Sequence, residues 1–150
     1  LGQRSWDFDV DIQGFRYHMS NMNAAIGIEQ LKRIDNFKQK RQAIAKGYLT
    51  AFNYIKEINC LDLNYSDSMP HIFVLKANDR NELRKYLLDN EIECGVHYKP
   101  NHLVKKFRAS IRLPITEKAY DEIITLPCHV DLTSQEQDFV IDKVKEFYNA

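Results

Sequence analysis

Apolar residues at Ala24, Ile28, Leu31, Ile34, Phe37, Ile44 and Tyr48, with polar residues between them, constrain this chain more than any other pattern in it. Their recurrence at intervals of three, four and seven residues follows the 3.6-residue helical turn, so the sequence predicts one long helix. Ser20 or Asn21 is placed to cap its start, because either side chain can accept from the orphan amides of a first turn. The middle of the segment, LKRIDNFKQKRQ, is heavily charged and reads as a solvated face.

Beyond Ala51 the period shortens. Residues 58–63, 71–77 and 92–98 read as strands, with a polar loop over 64–70 and a helix over Arg80–Asp89. Asp79 stands where that helix needs a cap, and Glu82 follows three residues later as in a capping box. Two more helices are expected, one starting near Thr116 and one at Thr133, where TSQE has the Thr-to-Glu spacing of the box itself. Val140, Val144 and Phe147 give the last helix an apolar stripe. The predicted architecture is a small α/β domain whose sheet is covered by helices, joined through a long connecting helix to the remnant of a larger domain. No internal repeat interrupts it.

At 150 residues and 44% hydrophobic, the chain can bury one core. Acidic and basic residues number 21 each, which argues against a general nucleic-acid surface. Cys60, Cys94 and Cys128 are odd in number and far apart, unlike a zinc site or a disulfide framework, and point to a reducing cytoplasm. No apolar run approaches the roughly 20 residues that cross a bilayer, and the first ten residues lack the pattern of a signal peptide. A soluble cytoplasmic protein with neither a nucleic-acid nor a membrane partner is expected.

Two blocks concentrate groups suited to anions and polar ligands: GFRYHMSNMNAAIG over residues 14–27 and HYKPNH over residues 97–102. In the first, Arg16 and His18 stand just before a helix start capped by Ser20 or Asn21. A guanidinium or imidazole beside free amides suits a phosphate dianion; surface or interface salt bridges are the alternative. Tyr17 can offer a hydroxyl or simply pack. In the second block, strand alternation places His97 opposite Tyr98 at a strand end, with Glu93 as a neighbour able to satisfy the imidazole. Pro100 keeps His97 and His102 off a shared helical turn. Without a third ligand at fixed spacing, a metal is not expected. Lys99, Lys105, Lys106, Arg108 and Arg112 form a local basic stretch, sized for a diphosphate or else simply solvated. His71 and His129 read as packing or loop residues.

The first block, with the QL and charged helix that follow it, resembles a stretch of the DegT/DnrJ/EryC1/StrS family of sugar aminotransferases almost position for position. GVHYKPNH over 95–102 and LPITEKAYDEIITLPCHVDLT over 113–133 are similar to later family segments in the same order. The resemblance implies a pyridoxal phosphate enzyme of the aspartate aminotransferase fold (fold type I), which moves an amino group from a donor such as glutamate to a nucleotide-linked keto sugar. It also implies that the Schiff-base lysine, the aspartate facing the pyridine nitrogen and the phosphate-binding serine lie before Leu1. The chain is then a C-terminal part without catalytic residues of its own, inactive alone: residues 1–49 are the end of the large domain, an interface arm and the connecting helix, and residues 50–150 the small α/β domain.

By the same resemblance the arm, with Arg16, Tyr17 and His18, reaches the cofactor phosphate of a partner subunit, implying a homodimer with shared active sites. The family commonly has Asn at the position of Arg16 and Arg or Asn at that of His18. His97, Tyr98 and His102 would line the sugar side, and Lys105 and Arg108 the diphosphate. A dehydratase of the same family, with histidine for the lysine, and a non-catalytic stand-alone dimerisation or regulatory domain are the alternatives.

Overall fold

A computed structural model describes residues 11–15, 17–61 and 63–149. The chain forms two compact units, the second beginning at Ile34. In the first, Ser20 is the N-cap of α1 (Asn21–Leu31), accepting from the amide of Asn23 at 3.2 Å. None of its residues is buried within its own unit.

The expected single long helix is in fact two. After Leu31 the amide of Arg33 turns to the carbonyl of Gln30, three residues back, and α2 (Ile34–Phe52) starts afresh with Asp35 in its first turn. The tighter i→i−3 bond ends the first ladder, and no Gly or Pro marks the place.

The second unit is built on a three-stranded antiparallel sheet ordered β1 (Ile58–Cys60), β2 (Phe73–Ala77), β3 (Ile123–Leu126). Ile58 faces Ala77 across the first pair; Phe73 faces Leu126 and Leu75 faces Ile124 across the second. Alternation along β2 buries Phe73, Leu75 and Ala77 and leaves Val74 and Lys76 half-buried, which fixes the register because a one-residue slip would put Lys76 in the core. Helices α2, α3 (Arg80–Asp89) and α5 (Ser134–Tyr148) contribute Tyr48, Phe52, Leu83, Leu87, Val140 and Val144 to that same core. α4 (Pro114–Glu122) contributes none and carries the Glu122 carboxylate that faces Lys76 at 3.8 Å.

Aromatic packing centres on Tyr48, which stacks on Phe52 at 5.7 Å and lies 5.0 Å from Phe73. Its hydroxyl donates to the carbonyl of Pro127. Arg41, two turns earlier in α2, donates to the carbonyls of Pro70, His71 and Cys128, fastening the entry to β2 and the exit from β3 to one helix. Gly47 leaves room for the side chain of Gln137, which donates to the Ile44 carbonyl and locks α5 on α2.

Three further expectations change. Residues 92–98 do not form a strand; only Gly95 pairs, through an isolated bridge to Thr125. The third strand is instead β3, whose β-branched Ile123, Ile124 and Thr125 follow α4 with no turn residue between. Asp79 adopts a left-handed conformation (φ 52°) and makes no cap bond with its side chain. At α5 the capping box is complete: Thr133 accepts from the Glu136 amide at 3.2 Å and Glu136 accepts from the Thr133 amide at 2.8 Å.

Candidate functional site

Of the arm residues, Arg16 lies outside the described residues. Tyr17 is 87% exposed and meets Phe15 edge-on at 6.2 Å; His18 and Met19 are exposed as well. Asn23, in the first turn of α1, is exposed as well. The first turn of α1 carries no acidic residue. A phenol and an imidazole thus precede a helix whose first turn carries no acidic residue, a set suited to an anion.

In the second unit, His97 is held by residues far from it in sequence. Gly95 and Thr125 exchange two backbone hydrogen bonds, of 3.2 and 2.8 Å. That bridge puts the Thr125 hydroxyl 3.0 Å from His97 Nδ1. A Cβ on Gly95 would sit 2.5 Å from His97 Cε1 and 3.1 Å from Thr125 Oγ1, so the ring fits only because residue 95 has no side chain. The neighbour expected for His97, Glu93, is not its bonding partner; Thr125 is. The Tyr98 ring stands edge-on to His97 at 4.8 Å and is 74% exposed. An open cleft of about 380 Å³ beside them is lined by Arg84, Cys94, Gly95, His97 and Thr125 among others.

His102 is situated differently. It is 8% exposed, within a short turn (Asn101–Leu103), and its Nε2 lies 3.1 Å from Glu117 Oε1. The same carboxylate oxygen accepts the Leu113 amide at 2.8 Å. The Leu113 bond and then the His102 bond hold the Glu117 carboxyl below its ordinary range against the opposing effect of desolvation. Lys105, Lys106, Arg108 and Arg112 are all exposed on the loop between His102 and Leu113.

Gly95, Thr125 and Glu117 were not assigned roles by sequence reasoning. Thr125 and Glu117 act on histidines 28 and 15 residues away, separations that leave no local pattern. Gly95 is visible in the sequence as a glycine in an otherwise extended segment, a sign of close approach. Among the described residues no group of three or more His, Cys, Asp or Glu is placed to hold a metal ion. Burial raises the thiols of Cys60, Cys94 and Cys128, which keeps them in the unreactive protonated form.

Known proteins are similar to this chain in sequence and fold. The chain is 30% identical to UDP-4-amino-4,6-dideoxy-N-acetyl-beta-L-altrosamine transaminase of Campylobacter jejuni, the match covering 97% of this chain and 43% of that protein. It superposes on S. venezuelae DesV with a TM-score of 0.85 at 25% identity, covering 93% of this chain and 39% of that one. Spr1654 of Streptococcus pneumoniae, solved in a PLP form, gives a TM-score of 0.81 at 27% identity over 97% of this chain and 40% of its own. The chain thus spans about two fifths of the length of the proteins it matches. A family profile aligns with residues 2–145, so that residues 14–27, the His97 cleft and the basic loop all fall inside one match, and on that ground the chain belongs to the DegT/DnrJ/EryC1/StrS aminotransferase family.

Proposed function

We propose that the whole protein is a pyridoxal phosphate-dependent aminotransferase that moves an amino group from an amino acid such as glutamate to the keto carbon of a nucleotide-linked sugar. The observation that carries this reading is the continuous family match over residues 2–145, together with relatives named as sugar transaminases. Within it, residues 1–49 serve as the interface arm and connecting helix, and residues 50–150 as the small domain.

The donor set of the arm fits the phosphate of the cofactor. His18 and the Tyr17 hydroxyl precede a capped helix whose first turn carries no acidic residue, and Arg16 belongs to the same segment in sequence. The cofactor, when bound, carries the amino group between the two substrates. It requires a desolvated lysine amine, and every lysine of this chain is at least partly exposed. That lysine therefore comes from the part of the relatives that this chain does not cover. On the substrate side, His97 is fixed by Thr125 and turned with Tyr98 toward solvent, where both can donate or accept at sugar hydroxyls. Lys105 and Arg108 meet the diphosphate.

The active protein is a cytoplasmic homodimer in this reading. Exposed Met22, Ile26, Ile28 and Leu31 on α1 form an apolar surface that a second copy and the rest of the enzyme would cover. Among the described residues no helix is long and apolar enough to cross a membrane.

The test is to incubate the full-length protein, loaded with pyridoxal phosphate, with glutamate and a panel of UDP-, GDP- and dTDP-linked keto sugars. Formation of 2-oxoglutarate and an amino sugar in equal amounts is expected. A keto sugar that loses a hydroxyl without gaining nitrogen, or no turnover with any of the panel, would overturn the reading.

A further inference from the structure

We infer that His102 and Glu117 form a clasp that positions the basic loop between them for the phosphates of the nucleotide sugar, neither residue touching substrate itself. The inference rests on the nucleotide-sugar reading and deepens it. Residues 103–112, LVKKFRASIR, contain four cations and no acid. Left to itself such a segment spreads its charges apart. Here its two ends are tied to a single oxygen: Glu117 Oε1 accepts from the Leu113 amide at 2.8 Å and lies 3.1 Å from His102 Nε2. A third bond, from the Ala109 amide to the His102 carbonyl at 3.3 Å, folds the loop inward.

His102 is buried, so it cannot reach a ligand in the open cleft. Its Nε2–H donates to a carboxylate that already accepts a backbone amide, an arrangement needing Glu117 ionised. Arg112, at the loop's far end, adds a favourable charge to the same carboxylate. The result is a ten-residue loop with closely held ends whose cations are gathered where an anion of two phosphates can neutralise them.

Opening the clasp should lower the fraction of loop in the binding shape. If that fraction falls to about one tenth, the KM for the nucleotide sugar rises about tenfold, with little change in kcat or in the KM for the amino donor. In the full-length enzyme, Glu117→Ala and His102→Ala are expected to show this split, and their double variant to be no worse than either alone. Glu117→Gln keeps an acceptor oxygen and should recover part of the loss. Trypsin should cut after Lys105, Lys106, Arg108 and Arg112 faster in both alanine variants than in wild type.

Unchanged trypsin cleavage in both variants would overturn the clasp. Faster cleavage with an unchanged KM for the sugar would overturn its positioning role. If neither variant folds, hydrogen exchange of the wild-type enzyme decides: the Leu113 amide must be protected relative to its neighbours Ile111 and Arg112, and equal exchange refutes the clasp. Should the wild-type enzyme aminate no nucleotide sugar, the aminotransferase reading falls, while the trypsin pattern still judges the clasp.

Discussion

Replacing Gly95 with alanine should damage the site far more than the fold. The added Cβ would lie 2.5 Å from His97 Cε1 and 3.1 Å from Thr125 Oγ1. Restoring an ordinary carbon–carbon separation of about 3.5 Å requires the imidazole to move by about 1 Å. That shift breaks or badly stretches the 3.0 Å contact with the Thr125 hydroxyl, a net loss of about 0.5–1.5 kcal/mol. Gly95 has no positive φ, so alanine also restricts the unfolded chain and returns about 0.4–1 kcal/mol. The two effects nearly cancel, and thermal unfolding of the variant should stay close to wild type. Function follows geometry instead: a misplacement of about 1 Å in a positioned group can cost about 100-fold in rate, which corresponds to about 2.7 kcal/mol of transition-state stabilisation. The assay is kcat/KM for the nucleotide sugar in the full-length enzyme, with Thr125→Val alongside. Valine removes the hydroxyl without pushing the ring, so its loss should be the smaller of the two. A Gly95→Ala enzyme with wild-type kcat/KM, or one less active than Thr125→Val only because it is unfolded, would refute the reasoning.

Three other outcomes follow from the packing and the charges. Phe73→Ala empties the centre of the sheet beneath Tyr48 and Tyr65 and should cost about 3–5 kcal/mol by denaturant unfolding. Thr133→Ala removes the N-cap of α5 and should cost about 1 kcal/mol in the same assay. Glu136 has its pKa depressed, first by the Thr133 amide and then by the Thr133 side chain. A depressed carboxyl stabilises the fold above its unfolded pKa of about 4.3 and stops doing so as pH falls through the lower folded value. Glu136→Gln should therefore reduce the slope of stability against pH below about 4.3, and an unchanged slope would count against the capping box as its source.

Local chemistry was legible in the sequence where both partners sit within one turn. Ser20 caps α1 and TSQE closes its box at α5 because a cap bond spans three residues and depends on little else. The apolar stripe of α5 was also legible, since Val140 and Val144 reach the core from positions four apart. The same rules failed where backbone conformation overrode side-chain type. Asp79 has the right side chain for a cap but is left-handed there, and the long apolar period of the first helices runs through a break at Lys32 and Arg33.

The family match, the capped helices and the composition were thus determined by the sequence itself, because they rest on residue types at short spacing. Which segment becomes the third strand was settled only by tertiary structure. Residues 92–98 and 123–126 both have extended character, and β3 pairs along β2 whereas the other segment pairs only at Gly95. The roles of the histidines were settled in the same way. His97 is oriented by a threonine 28 residues away and His102 is buried against a glutamate 15 residues away. Such contacts form only when the sheet and α4 bring those residues together, and no period in the chain encodes them.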